Sequence, residues 1–141
     1  AEIIARPSGE NAADIRSRLQ EVMMDKVSVV RSADSMNAAL AEIETLRGAY
    51  ANVAVGDKGE IFNTDITEAL ECGYMLDLAE ALVVGGLARE ESRGAHFRTD
   101  FEKRDDANWL AHTVITKKGE KLEIAKKPVT ITTFEPKERV Y

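Results

Sequence analysis

Residues 63–92, NTDITEALECGYMLDLAEALVVGGLAREES, decide the fold. The stretch has no Pro and opens on Asn63-Thr-Asp65. Asn63 offers an N-cap oxygen, and Asp65 suits the positive end of a helix. The apolar period predicts a helix from about Ile66 to about Ser92, long for a globular protein. Ile66, Leu70, Gly73, Leu76, Leu82 or Val83, and Leu87 mark its expected buried face. Small residues recur at Ala69, Gly73, Ala79, Ala81, Gly85, Gly86 and Ala88, which lets other helices approach closely. Two consecutive glycines late in a helix are costly, so Gly85-Gly86 implies a tight contact or a bend.

Two more helical patterns precede it. Residues 11–30 start at Asn11 as a cap, and Ile15, Leu19, Val22 and Met23 repeat at the spacing of one apolar face. Ser32 opens the next, where Met36, Leu40, Ile43, Leu46, Tyr50 and Val53 carry the period. Val55-Gly-Asp-Lys-Gly59 is turn chemistry. The expected fold is therefore mainly α: an antiparallel three-helix bundle of spectrin-repeat-like form over residues 1–93. After it the period changes. Thr113-Val-Ile-Thr116 and Lys121-Leu-Glu-Ile-Ala125, joined through Lys117-Lys-Gly-Glu120, read as a β-hairpin. Residues 94–141 are thus expected to form a charged docking loop, the hairpin and an extended tail. A lone hairpin is marginal in water, so it must lean on the bundle or on a partner.

Composition narrows the function classes. With 141 residues, 44% hydrophobic and 31% charged, the chain suits one globular domain. No run of about 18 apolar residues is present, so no membrane insertion is expected. The first seven residues lack the basic and apolar regions of a signal peptide. The chain starts at Ala1 rather than Met, from which a piece of a longer polypeptide is expected. Cys72 is alone, which excludes an internal disulfide and points to a small buried apolar group. Residues 1–93 hold 9 Lys and Arg against 17 Asp and Glu; residues 94–141 hold 10 against 8. An acidic helical body argues against nucleic-acid binding.

Chemistry concentrates in residues 91–106. Arg93, Arg98, Lys103 and Arg104 interleave with Glu91, Asp100, Glu102, Asp105 and Asp106, and with His96, Phe97 and Phe101; Trp109 follows. A metal site from His96, Asp100, Asp105, Asp106 and His112 has enough ligands in number but no helical ligand spacing to support it. An acid–base or anion site from Arg93, His96, Arg98 and Arg104 has suitable groups. No Ser/His/Asp set, phosphate loop or dinucleotide fingerprint accompanies it. Docking fits the pattern best: paired charges hold register and the aromatics anchor. The docking residues are Arg93, His96, Arg98, Asp100, Arg104, Asp105, Asp106 and Trp109.

Taken together, Ala88-Arg-Glu-Glu-Ser-Arg-Gly-Ala-His96, Arg98-x-Asp100 and Arg104-Asp-Asp-x-Asn-Trp-Leu-x-His-Thr113 closely resemble the C-terminal domain of the succinate dehydrogenase/fumarate reductase flavoprotein subunit. Met23-Met24, Val55-Gly-Asp-Lys58, Phe62-Asn-Thr-Asp65, Leu76-Asp-Leu-Ala-Glu80, Lys127-Pro-Val-Thr-Ile131 and Pro136-Lys-Glu-Arg-Val-Tyr141 extend the likeness over nearly the whole chain. L-aspartate oxidase shares the Glu-Ser-Arg-Gly signature and is the nearest rival; a free-standing helical adaptor is the alternative from another class.

The resemblance implies a parent enzyme that interconverts succinate and fumarate and passes electrons through FAD to an iron–sulfur subunit. It implies that FAD and the catalytic residues belong to upstream domains, with none of either in this chain. The expected partners are the upstream FAD-binding domain and the iron–sulfur subunit. The expected location is peripheral, on the cytoplasmic side of the cell membrane. On this reading the charged residues have an assembly role rather than a catalytic one.

Overall fold

The computed structural model describes residues 2–119 and 121–137. About half of the chain is helical, with a small two-stranded antiparallel sheet. A single turn, α1 (Glu2–Ala5), precedes α2 (Ala12–Val27). A two-residue strand β1 (Val30–Arg31) leads to α3 (Ala33–Tyr50), and the long α4 (Thr64–Ala88) follows. Then come β2 (Phe97–Arg98), the short α5 (Asp106–Trp109), β3 (Ala111–Lys118) and β4 (Lys121–Pro128).

The caps stand where the sequence puts them. Asn11 Oδ1 accepts the Ala13 N–H at 2.8 Å, and Asn63 Oδ1 accepts that of Ile66 at 3.0 Å. At Ser32 a reciprocal capping box forms: Ser32 Oγ accepts the Ser35 N–H, and Ser35 Oγ accepts that of Ser32. Helices α2, α3 and α4 each pack on the other two. Ile15, Leu19, Met36, Ile43, Leu46, Leu76 and Val83 fill the space between them. Cys72 is fully buried there, and burial pushes its thiol pKa up.

Three boundaries differ from expectation. Helix α2 stops at Val27, because Val30 and Arg31 pair in parallel with Phe97 and Arg98. Helix α3 ends at Tyr50, and Val53 is buried beyond it, bridged to Glu10. Helix α4 ends at Ala88 rather than near Ser92, whose hydroxyl instead accepts the Arg98 N–H and donates to the Phe101 carbonyl, both at 2.8 Å.

The buried face of α4 also differs. Ala69, Cys72, Leu76, Ala79, Val83 and Gly86 point inward. Leu70 and Leu82 face out, with 44% and 50% exposure. The helix is apolar nearly all round, so periodicity left the choice of face to packing. Small residues win the inner side because they admit close neighbours. A Cβ on Gly73 would stand 2.5 Å from the Tyr50 hydroxyl.

The hairpin leans on α4. Ile115 and Thr113 of β3 pack over Gly85, and Lys117 Nζ donates to Asp77 at 2.9 Å. β3 and β4 pair in register from Ala111↔Pro128 to Lys118↔Lys121. Gly119 turns the chain with φ 60°; Glu120 lies outside the described residues. Beyond Pro128 the described chain forms no regular strand, and the Glu138–Tyr141 end of the C-terminal motif lies outside the described residues.

Candidate functional site

Helix α4 has no basic residue in its last turn, so its terminal carbonyls need donors from elsewhere. Arg98 supplies them. Its side chain is buried, and one guanidinium nitrogen donates to the carbonyls of Gly86, Leu87 and Arg89 at 2.9, 3.1 and 3.2 Å. The other two nitrogens donate to Asp100, each at 2.7 Å. Asp100 Oδ2 in turn accepts the Ala33 N–H at 3.0 Å, at the start of α3. One ion pair thus clasps the negative end of α4 to the positive end of α3, and each charge sits at the helix end that favours it. The bonds from Arg98 hold the Asp100 carboxyl far below the ordinary carboxylate range. Phe101 covers Arg98, with its ring centre 4.9 Å from the guanidinium carbon.

A second knot forms around Glu91, which is fully buried. Oε1 accepts from Arg89 Nη2 at 2.6 Å and Arg93 Nε at 2.8 Å; Oε2 accepts from Arg93 Nη2 at 3.0 Å and the Asp105 N–H at 2.8 Å. Burial pushes the Glu91 pKa up, but the bonds from Arg93, Asp105 and Arg89 outweigh it, and the net shift is downward. Arg93 is held correspondingly upward, mainly by Glu91. Arg89 also donates to the carbonyls of Ala111 and Trp109 and to Thr113 Oγ1, tying the helix end to the first residues of β3. Two cations lie over the Trp109 ring, the Arg89 guanidinium carbon 5.4 Å from the ring centre and Lys126 Nζ at 3.3 Å.

The outer layer is more exposed. Asp106 lies between Arg93 Nη2 at 2.6 Å and Arg104 Nε at 2.7 Å, and these two arginines hold its carboxyl far below the ordinary range. Arg104 also donates to the Lys137 carbonyl at 2.7 Å. Asp105 caps α5 through the Asn108 N–H at 3.0 Å. Arg93 and His96 exchange both backbone hydrogen bonds across a tight turn, where Gly94 takes φ 60°. The His96 Nε2–H donates to the Arg89 carbonyl at 3.1 Å. Burial depresses the His96 pKa, and Arg31, Arg98 and Arg89 add to this.

The fumarate reductase flavoprotein C-terminal family model matches residues 16–141. The chain belongs to this family. It is 43% identical over 134 residues to the fumarate reductase flavoprotein subunit of Mycobacterium tuberculosis, covering 94% of this chain and 23% of that protein. It is 38% identical over 138 residues to the succinate dehydrogenase flavoprotein subunit of Rickettsia felis, covering 92% and 23%. The structure of E. coli quinol fumarate reductase FrdA superposes with a TM-score of 0.89 at 32% identity, covering 96% of this chain and 24% of that one. The chain therefore spans less than a quarter of the length of these relatives. The names favour neither L-aspartate oxidase nor a free-standing adaptor.

In this flavoprotein C-terminal domain, the structure gathers Arg93, His96, Arg98, Asp100, Arg104, Asp105, Asp106 and Trp109 at one end of the helices. Arg98 and Trp109 are turned inward into the fold, Asp100 meets Arg98 from the surface with its side chain 31% exposed, and Arg93, Arg104 and Asp106 form the outer network. Sequence reasoning missed Arg89 and Glu91 as members of the site. The signal was available: Glu91 lies two residues from each arginine, just past the helix end, where a lone interior carboxylate gains two forks at once. His112 is exposed and belongs to neither the Asp100 nor the Asp106 ion pairs. Among the described residues, no three His, Cys, Asp or Glu side chains converge as a metal site. No described helix is long and apolar enough to cross a membrane.

The residues present do not fit a flavin cradle. Such a cradle needs a glycine-rich turn between a parallel strand and a helix N-terminus. Among the described residues, Gly56 and Gly59 precede α4 in an irregular segment, Gly85 and Gly86 pack inside a helix, Gly94 and Gly119 sit in tight turns, the one parallel strand pair is two residues long, and the eight-residue strands pair antiparallel.

Proposed function

We propose that this chain is the C-terminal domain of a succinate dehydrogenase/fumarate reductase flavoprotein subunit, and that its contribution is scaffold and docking rather than chemistry. The parent would be an oxidoreductase interconverting succinate and fumarate, with FAD bound by its upstream domain and electrons passed to an iron–sulfur subunit. The observation that carries the reading is the commitment of the charged side chains. Arg98, Asp100, Glu91 and Arg89 are consumed in bonds that close helix ends and fasten the hairpin, which leaves none of them aimed at a substrate.

Helices α2, α3 and α4 are read as an antiparallel three-helix bundle of spectrin-repeat-like form. Residues 94–141 then complete one structural domain of the larger subunit. The docking residues are Arg93, His96, Arg98, Asp100, Arg104, Asp105, Asp106 and Trp109. The outer ones, with the half-exposed Phe97 and Phe101, meet the upstream FAD-binding domain and the iron–sulfur subunit. The inner ones keep that surface in shape. Nucleic acid is not a partner, and the location is peripheral, on the cytoplasmic side of the membrane. The purified chain is expected to be colourless and to show no succinate:acceptor activity, while assembling with the separately produced upstream part. A yellow, FAD-loaded chain would overturn the reading.

A further inference from the structure

A cavity of about 510 Å³ opens between the end of α4 and the hairpin, with Gly85 and Gly86 at its floor. Arg31 and His96 converge over Gly86: Arg31 Nη1 and His96 Cε1 each lie 3.8 Å from where a Cβ on that glycine would stand. A Cβ there would be in ordinary contact with both and crowded only by Met36 Sδ, at 3.1 Å.

The cations around this cavity are not equally satisfied. Arg98 has Asp100, Arg89 has Glu91, and Arg93 has both Glu91 and Asp106. Arg31 has no carboxylate partner among the described residues. Its Nε donates to the Ser28 carbonyl at 2.7 Å, and no other hydrogen bond or ion pair engages its guanidinium among the described residues. Its pKa is lowered by burial and by Arg98. A half-buried guanidinium facing other cations leaves an unbalanced positive potential, which an anion placed in the cavity would relieve.

An apolar stripe leads to the same place. Leu70, Tyr74, Leu78 and Leu82 repeat every four residues along the outer face of α4, with exposures of 44, 65, 70 and 50%. They span roughly 18 Å at the helical rise. Leu82 also lines the cavity. A row of this kind marks an interaction surface.

The geometry points to a carboxylate seat in this cavity, held by the Nη groups of Arg31 beside His96 and filled by an acidic side chain of the upstream part of the same flavoprotein. That segment lays apolar side chains along Leu70–Leu82 and ends its contact at Arg31. Three observations select this occupant: the unbalanced cation selects an anion, the adjoining stripe selects a protein surface over a free ion, and the relatives extend over four times the length this chain covers. The inference rests on the docking reading and names the chemistry of the docked surface.

Two measurements test it. In the first, sodium acetate is titrated into the isotope-labelled chain against sodium chloride at equal ionic strength. Saturable shifts are expected at the Arg31 Nε–H and at the Gly86 and His96 amides. They should be lost in Arg31→Gln and partly kept in Arg31→Lys. Dispersed spectra of both variants elsewhere check the fold. No saturable shift in the wild-type chain overturns the seat. In the second, association of the chain with the upstream part of the subunit is measured. Arg31→Glu and Leu78→Asp are each expected to weaken it tenfold or more. Wild-type association that Arg31→Glu leaves unchanged overturns the proposed occupant. Failure of the wild-type chain itself to associate overturns the docking reading instead.

Discussion

Replacing Glu91 by Gln should destabilise the chain by about 3 kcal/mol. The carboxylate is fully buried and accepts bonds from two guanidinium groups and one backbone N–H. Gln keeps the size but turns an NH₂ toward donors on one side, and it leaves two cations without their shared counter-charge. Breaking a buried pair in this way costs about 3–5 kcal/mol. The low end applies because Arg89 and Arg93 are 14% and 27% exposed and keep other acceptors, the Trp109 carbonyl for Arg89 and Asp106 for Arg93. At this chain length the loss corresponds to a Tm lower by roughly 10 °C. Urea unfolding followed by circular dichroism reads it directly. The pH dependence adds a second check. The folded pKa of Glu91 lies below its ordinary 4.5, so its stabilisation is complete above that value and disappears as pH falls through the folded value. E91Q should therefore weaken the chain at neutral pH and flatten the acid limb of the stability profile. A variant within about 0.5 kcal/mol of wild type at pH 7, the scatter of ordinary surface changes, would refute the argument.

Other outcomes follow from the same contacts. Arg98→Lys loses the fork to Asp100 and the multiple carbonyl contacts. Hydrogen exchange should speed up at the end of α4 and at the Ala33 amide, and a double-mutant cycle with Asp100→Asn should give a coupling of about 1–3 kcal/mol. Leu76→Ala should cost about 2–5 kcal/mol, while Leu78→Ala, on the outer face, should change the isolated chain's denaturation midpoint little. Native Cys72 should react with a thiol reagent only as fast as the core opens, and urea should accelerate the reaction. Gly73→Ala should destabilise by about 1–3 kcal/mol through its clash with Tyr50, with partial recovery in a background of Tyr50→Ala, read by thermal unfolding.

Local chemistry made much of this molecule legible in advance. Asn11, Ser32 and Asn63 announce the starts of α2, α3 and α4, because a cap needs only an oxygen two or three residues from an orphan N–H. Met36, Ile43 and Leu46 announce the inner face of α3, and the shift to alternating residues announces β3 and β4. The family was legible too, since the motifs carrying it lie close together in the chain. Long-range pairing decided the rest. Helix α2 stops at Val27 because Val30 and Arg31 find partners at Phe97 and Arg98, more than sixty residues away. The inner face of α4 went to its small residues because Tyr50 and Met36 needed room, which periodicity cannot weigh in a helix apolar on every side. The charged segment shows the same division. Its composition alone determined that arginines and carboxylates would pair. Only the tertiary structure decided that Arg98 and Asp100 close two helix ends and that Glu91 is a buried hub, while Arg31 finds no counter-ion among the described residues. Pairing between charges depends on distances set by packing, and packing joins residues that the linear order keeps apart.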